Sequence, residues 1–491
     1  MDSSTEETTR KINLSTMVGR NTASISRNNH PTPHDDTSLD DIINDKRICG
    51  NELDTCVLSE RQQEAFMKYK SGYNIFITGA GGSGKSEIIK RIYNDAKSAN
   101  VNIQVTALTG CAAAILNCKG RTIHSWSGMG ISNFEPEQMY ERIKKNKYAR
   151  EEWLQTDILI VDEVSMMSAK MLDVLNYVGK KVRKNSLPFG GIQVIFSGDF
   201  YQLPPIEKKE ARVKFCFQSE HWSEIFAREN HVVLDTVFRQ ADSVYRNILN
   251  DMRKGVLTRE SEEILLTRVD ILPEDSEIEP TKLFPVRYKV DEINKKKMNE
   301  LTSESVFFEL IQSKKTKYNI SPQEIEHELK YLESTIICDS IIELKKNAQV
   351  MCVINIKDPD TKELIIYNGS QGIVVDFVIN GMGKTVPVVK FNNGRTMVIN
   401  YNTWESEKYA GISISQIPLV LCWAMTIHKT QGCSLDMAEI DIGSSIFECG
   451  QTYVALSRVR SLDGLFIKSF DPNKIRINKQ VFKFYESLEA L

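Results

Sequence analysis

No run of apolar residues in this sequence is long enough to cross a bilayer. The longest in its C-terminal half, Pro418–Met425, falls far short of the roughly 20 residues a spanning helix needs. No Cys-x-x-Cys pair occurs among the ten cysteines. The closest pairs, Cys49/Cys56 and Cys111/Cys118, are each separated by six residues, which speaks against a zinc site. Several cysteines sit inside apolar runs, where a reduced core thiol is the natural reading, so a reducing compartment (cytosol, nucleus or an equivalent) is expected. There is no surplus of positive charge: 62 Lys and Arg face 65 Asp and Glu, a net charge of −3. Any nucleic-acid contact must therefore come from a local groove rather than the whole surface. No internal repeat is visible. The first residues, Met1-Asp2-Ser3-Ser4-Thr5-Glu6-Glu7, lack a basic start followed by an apolar core, so neither a secretory signal nor a transit peptide is expected. What remains is ordinary globular composition, 41% apolar and 26% charged over 491 residues, room for about three domain units.

Residues 1–55 are rich in Ser, Thr, Asn and Asp without apolar periodicity, the pattern of a disordered polar tail. From Leu58 onward, short apolar runs alternate with helical stretches. Asn74–Thr78, Ile103–Ala107, Ile158–Val161 and Val194–Ser197 are rich in Ile, Val and Phe. Strands buried on both faces, as in a parallel sheet flanked by helices, have this texture. Each is followed at once by a polar loop, and ligands of open α/β sheets bind at those loops. A second set, Leu283–Val286, Pro418–Met425 and Ala438–Ile442, predicts a second α/β domain. Between them, turn signals such as Asn380-Gly381 and Asn392-Asn393-Gly394 separate short strand-like runs, a pattern suited to a small inserted antiparallel barrel. The expected division is 56–235 for the first domain, 236–342 and 418–491 for the second, and 343–417 for the insertion.

Gly79-Ala80-Gly81-Gly82-Ser83-Gly84-Lys85-Ser86 fits G-x-x-x-x-G-K-[ST] between a strand and a helix, the context the motif requires. Glycines let backbone N–H groups wrap phosphates, and the helix beginning near Lys85 adds its positive end. Lys85 is expected on the outer phosphates and Ser86 on Mg²⁺. Asp162 and Glu163 end an apolar strand, where two acids are costly unless they meet a cation. Asp162 suits the water shell of Mg²⁺, and Glu163 suits orienting and deprotonating an attacking water. Gln202, in Gly198–Pro205, is positioned to touch the last phosphate or that water. Arg239 and Arg458 are candidates for stabilising a transferring phosphoryl group, although a lone arginine is by default a surface residue.

With these parts in order, the chain resembles DNA helicases of the Pif (petite integration frequency) type, in the RecD-like branch of superfamily one. The resemblance runs from about Leu58 to about Lys468. Leu58-Ser59-x-x-Gln62 resembles the family's adenine-reading motif. Val105–Ala114 with Arg121–Ser127 resembles its first strand-binding motifs, and Leu187–Gly191 leading into Ile192–Pro205 its distinguishing segment. Thr426–Gly432 and Gln451–Arg458 resemble the last two motifs. The resemblance implies an α/β fold of two RecA-like domains with ATP between them, a small wedge insertion at about 128–153 in the first and an SH3-like β-barrel in the second. It implies nucleotide contacts from Gln62, the phosphate loop, Gln451 and Tyr453, with Arg239 and Arg458 approaching from the second domain. Contacts to single-stranded DNA carry over to Thr109, His124, Trp126, Thr426, His428, Lys429 and Gln431.

Trp126 beside His124 can stack on bases or pack in the core, and its residue type does not choose. Lys144, Lys145 and Lys147 in the insertion belong either to a strand-separating wedge or to a solvated helix face, the latter the plainer reading. The implied activity is ATP- and Mg²⁺-dependent 5′-to-3′ movement on single-stranded and forked DNA, by a monomer in the nucleus or a viral replication compartment. Replication, repair or recombination proteins would be its further partners. The rivals are another phosphate-loop enzyme, a DNA-gripping scaffold without unwinding, and the motor subunit of a larger complex.

Overall fold

The structure, a computed structural model, describes residues 57–489 except 117, 131–134, 206–212, 241, 272–276, 319, 359–362, 407–408 and 444. The tail expected over 1–55 and part of the expected wedge lie outside the described residues. Among those described, no helix is long and apolar enough to cross a membrane.

The first unit is a six-stranded sheet. Its strands are β1 Ile75–Gly79, β2 Ile103–Ala107, β3 Arg121–Thr122, β4 Ile158–Asp162, β5 Gln193–Ser197 and β6 His231–Leu234, in the order β3-β2-β4-β5-β1-β6. All neighbours run parallel. The continuous apolar runs are explained by this: every residue of β1, β4 and β5 is buried, because helices cover both faces. One layer is built on Ile88, Ile89 and Ile92 of the helix Lys85–Ser98, and the other on Leu172, Leu175 and Val178 of the helix Ala169–Arg183.

A second parallel sheet has the strand order Ala424–Thr426, Thr281–Phe284, Ala438–Ile442, Leu465–Phe470. Two parallel α/β sheets fit the RecA-like expectation. The inserted region contains a five-stranded antiparallel sheet running from Thr396–Val398 through Gln371–Ile379 to Leu419–Leu421. It begins earlier than expected. Val306–Glu309 pairs with Ile341–Leu344, and Ile311–Lys314 pairs with Ile412–Gln416. The boundary placed between 342 and 343 thus falls inside a strand. Local composition hid this, because the pairings join segments far apart in the chain, Val306 with Leu344 and Ile311 with Ser415.

The end of the chain departs further. The helix Lys479–Glu489 was assigned to the second domain, yet Val481, Tyr485 and Leu488 are buried in the first domain's core. Tyr485 stacks on Tyr201 with ring centres 4.6 Å apart. Phe484 stacks on Phe217 at 4.4 Å. The Tyr485 hydroxyl lies 2.6 Å from Thr78 Oγ1 and accepts the Phe200 amide at 3.1 Å. The second unit is therefore strung between β6 and this helix and attached to the first at both ends.

Trp126 is fully buried, 4.4 Å from Trp153, and donates to Thr156 Oγ1 at 3.3 Å. It is core, because its apolar ring finds a partner in the helix Lys147–Gln155 and its N–H finds a hydroxyl there. Lys144, Lys145 and Lys147 are exposed, while Met139, Ile143, Ala149 and Trp153 of the same two helices point inward. The lysines form a solvated face. The cysteines Cys118, Cys216, Cys338, Cys352, Cys422 and Cys433 are buried thiols.

Removing the Tyr485 ring should open a cavity and cost about 3–5 kcal/mol. Tyr485→Phe, which removes only the hydroxyl shared by Thr78, Phe200 and Asp199, should cost about 1–3 kcal/mol. Thermal melts of both variants test this; an unshifted melting temperature for Tyr485→Ala would remove the helix from the list of stabilising contacts.

Candidate functional site in the cleft between the two sheets

The loop leaving β1 is bent by glycines. Gly82 and Gly84 have φ of +86° and +82°. A side chain on Gly82 would meet Arg239 Cβ at 2.4 Å, and one on Gly84 would meet Gln62 Nε2 at 2.4 Å. Conformation and space both demand glycine here. Lys85 points back into the loop and donates to the carbonyls of Gly79 and Ala80 at 2.8 and 3.0 Å. Burial pulls its ammonium below the usual lysine range. Ser86 follows in the first turn of the helix. The Ser83 hydroxyl is buried without a partner.

Gln62 is 3% exposed. Its Oε1 accepts the Ser59 amide at 2.9 Å, closing a capping box, and its Nε2 donates to Gly84 O at 3.2 Å. It ties the first helix to the phosphate loop.

Asp162 and Glu163 leave β4 into the cleft, and both carboxyls are pushed up by burial. Glu163 reaches about 7, through burial first and the neighbouring Asp162 second. Its backbone is left-handed, with φ of +55°, a strain seen where a site dictates geometry. Gln202 is buried and its Oε1 has no hydrogen-bond partner.

The second unit supplies the facing wall. Arg458 is 2% exposed and donates to Val454 O at 3.0 Å, Ser457 Oγ at 2.8 Å and Thr430 O at 3.4 Å. Arg239, half-buried, donates to Ser457 O at 3.2 Å. Burial lowers both guanidinium groups, Arg239 also through Arg458. Tyr453 accepts the Gly81 amide at 2.8 Å. Gln451 Oε1 accepts the amides of Phe447 and Glu448, each at 3.2 Å, so its side chain shapes the turn before its helix.

Two further residues were not singled out in the sequence. Asp199 is fully buried and takes a two-pronged contact from Arg253, Nε to Oδ2 at 2.9 Å and Nη2 to Oδ1 at 2.8 Å. Burial pushes the carboxyl up, but Arg253 and then Lys85 hold it below its ordinary value. Tyr453 and Tyr485 also donate to it, at 3.4 and 3.3 Å. The available signal was an acid directly after a buried strand, which requires a cation.

The residues expected on a DNA strand divide. Thr109 Oγ1 accepts the Ala112 amide at 3.2 Å and Thr426 Oγ1 accepts the Lys429 amide at 3.2 Å; each shapes its loop. His124 and His428 are half-buried, and burial lowers both imidazoles. Lys429 is half-exposed. Trp126 is core. Gln431 is 2% exposed and donates to Glu163 Oε2 at 2.8 Å. It belongs to the cleft rather than the strand path, because its loop turns inward after Lys429.

The cleft suits a nucleoside triphosphate with Mg²⁺. A buried ammonium bonded to carbonyls, unpartnered Ser83 and Gln202 oxygens, and two buried carboxyls raised by burial are what phosphates and a divalent ion would satisfy.

A family model described as PIF1-like helicase matches residues 57–263. The ATP-dependent DNA helicase RRM3 of Saccharomyces cerevisiae is 32% identical, over 88% of this chain and 68% of its own length. The chain spans 58–64% of curated PIF1 helicases from other fungi and from vertebrates. The crystal structure of the Candida albicans Pif1 helicase superposes with a TM-score of 0.68 at 34% identity, covering 88% of this chain and all of that one. A Bacteroides Pif1 helicase in complex with ADP-AlF3 and ssDNA gives a TM-score of 0.58 at 28% identity, covering 89% of this chain and 98% of that one.

Glu163 supplies a pH test of this geometry. A carboxyl raised from 4.5 to about 7 keeps its proton in the fold after the unfolded chain has lost it, so stability falls as pH rises from about 4.5 to about 7 and levels off above. Glu163→Gln should therefore stabilise the fold more at pH 8 than at pH 5, the difference being on the order of 2 kcal/mol, read as a larger rise in melting temperature at pH 8. Equal shifts at the two pH values would contradict a buried, charged Glu163.

Proposed function

This chain belongs to the PIF1-like helicase family, and from that premise we propose that it is an ATP-dependent DNA helicase that moves 5′ to 3′ on single-stranded DNA and unwinds the duplex ahead. The observation that carries the reading is that the phosphate loop is completed from the other unit: Tyr453 bonds Gly81, and Gln431 bonds Glu163. A site divided in this way is sensitive to how far the two units are apart.

When bound, ATP with Mg²⁺ supplies the phosphoryl group whose hydrolysis drives the cycle. Lys85 holds the outer phosphates, freed from the Gly79 and Ala80 carbonyls. Ser86 and Asp162 hold the ion. Glu163 takes a proton from water at its carboxylate, and Gln202 orients that water. Arg239 and Arg458 face the developing negative charge. Tyr453 leaves the Gly81 amide to the phosphates. Because these groups come from two units, the cleft closes around nucleotide and opens without it.

Thr109, His124, Thr426, His428 and Lys429 contact the strand, mostly at its backbone, so sequence preference is weak. The helices Pro136–Lys145 and Lys147–Gln155 serve as the wedge and the antiparallel sheet as an SH3-like barrel. Forked DNA in the nucleus is the substrate, with replication or recombination proteins as further partners of a monomer.

Lys85→Ala should lower DNA-stimulated ATP hydrolysis by ~10²-fold or more while retaining affinity for a fluorescent single strand. The native chain should unwind 5′-tailed duplexes in an ATP-dependent gel or fluorescence assay. Unwinding from 3′ tails alone would overturn the assigned direction, and full hydrolysis by Lys85→Ala would overturn the assigned site.

A further inference from the structure

The loop Thr426–Gly432 faces two ways. His428 and Lys429 are partly open to solvent, while Thr430 and Gln431 turn into the cleft. There the Thr430 carbonyl accepts Arg458 Nη1 at 3.4 Å and Gln431 Nε2 donates to Glu163 Oε2 at 2.8 Å. Two short bonds, the Lys429 amide to Thr426 Oγ1 at 3.2 Å and Thr430 Oγ1 to the Ile427 carbonyl at 2.9 Å, make the loop one tight turn. A displacement at its outer residues is therefore passed to its inner ones.

Away from the cleft, Gln349 and Gln371 of the second unit set a standard for structural roles. Gln349 accepts the Glu279 amide and donates to the carbonyls of Glu279 and Cys422. Gln371 accepts the Met437 amide and donates to Thr281 Oγ1 and the Met437 carbonyl. Both amide ends are satisfied in each, as burial demands. Gln431 is equally buried but satisfied at one end: its Oε1 has no partner. Its side chain is anchored on a carboxylate of the other unit, held on a residue whose own backbone is left-handed. An amide in that state is poised to let go, because it loses one bond rather than two.

We infer that Gln431 is a positioning residue that holds Glu163 in the strand-free protein and releases it when a single strand engages His428 and Lys429. The inference rests on the helicase reading of the cleft. The bond from Gln431 Nε2 occupies an oxygen of Glu163 that would otherwise receive a proton from water. While it stands, Glu163 faces the second unit. When strand binding shifts the turn, Glu163 swings free, and hydrolysis rises. The strand acts here without touching nucleotide, through the four residues His428 to Gln431 of one loop.

The test compares the native chain with Gln431→Ala and with Gln431→Leu, which keeps most of the volume and has no donor. Hydrolysis is measured with and without an oligo-dT strand, together with KM for ATP, oligo-dT affinity by fluorescence anisotropy, and the melting temperature. Both variants should hydrolyse ATP about tenfold faster without the strand, the rate equivalent of about 1.4 kcal/mol. Strand-stimulated kcat should stay within about twofold, so the stimulation ratio collapses while KM and oligo-dT affinity hold. A preserved ratio would overturn the inference. A parallel fall of both rates would overturn it in favour of a residue that merely orients Glu163, and a loss of oligo-dT affinity in favour of a strand contact. A native chain with no strand-stimulated hydrolysis would instead overturn the helicase reading itself.

Discussion

The cleft is organised around one buried ion pair, Asp199 with Arg253. Asp199 leaves β5 of the first sheet; Arg253 ends a helix, Ser243–Arg253, of the second unit. Two charges taken out of water cost more than most contacts return unless every lone pair is used. Here each carboxylate oxygen takes one prong of the guanidinium and one tyrosine hydroxyl. Arg253 also lies over the rings of Tyr201 and Tyr485, at 4.7 and 5.1 Å. Removing either charge would strand the other, a loss of about 3–5 kcal/mol. The pair fixes the register of the two units, and the rest of the site depends on it: the Tyr453 hydroxyl that accepts the Gly81 amide donates to the same carboxylate.

That register is reinforced by the path of the chain. The second unit leaves after β6 and returns as the helix Lys479–Glu489, whose Tyr485 hydroxyl lies between Thr78, one residue before the phosphate loop, and Asp199. A unit attached at both ends cannot drift freely; its motion relative to the first sheet is confined to directions that both connections allow. Tyr201 and Tyr485 stack at the fixed side of the cleft, while the loop carrying Gln431 faces Glu163 across it. Opening and closing therefore concern the contacts of Arg458, Tyr453 and Gln431 more than the aromatic floor.

What sequence made legible was what is local. The phosphate loop, the acids after β4 and the parallel strands each announce themselves within about ten residues, through glycine spacing or continuous apolar runs. What it hid was pairing over distance. Nothing near Tyr485 says that its helix will return to the first sheet, and nothing near Ile311 says that it will pair with Ser415. Trp126 and Gln431 show a subtler limit. Both lie in segments expected to follow a DNA strand, and the segment was the unit of inference. Trp126 sits in the short helix Ile123–Ser127, whose buried side is Ile123, Trp126 and Ser127, so it went to the core; Gln431 turned into the cleft, while His124, His428 and Lys429 stayed partly open.

At the cleft several local rules fail together. Ser83, Gln202, Gln240 and Gln431 each keep a buried polar atom without a partner. Glu163 has a left-handed backbone, and its carboxyl is raised by burial. Outside the cleft, buried amides such as Gln193, Gln349, Gln371 and Gln416 bond carbonyls in the ordinary way. Arg121, Ser165, Ser197 and Glu324 also keep a buried atom without a partner; those of Ser83, Gln202, Gln240 and Gln431 are the ones a ligand in the cleft can satisfy. The unsatisfied atoms come from both units. Whatever satisfies them must therefore bridge the units, and binding energy spent there is available to change the distance between them. This is the physical condition for a motor: the groups that recognise the fuel are divided between the parts that have to move.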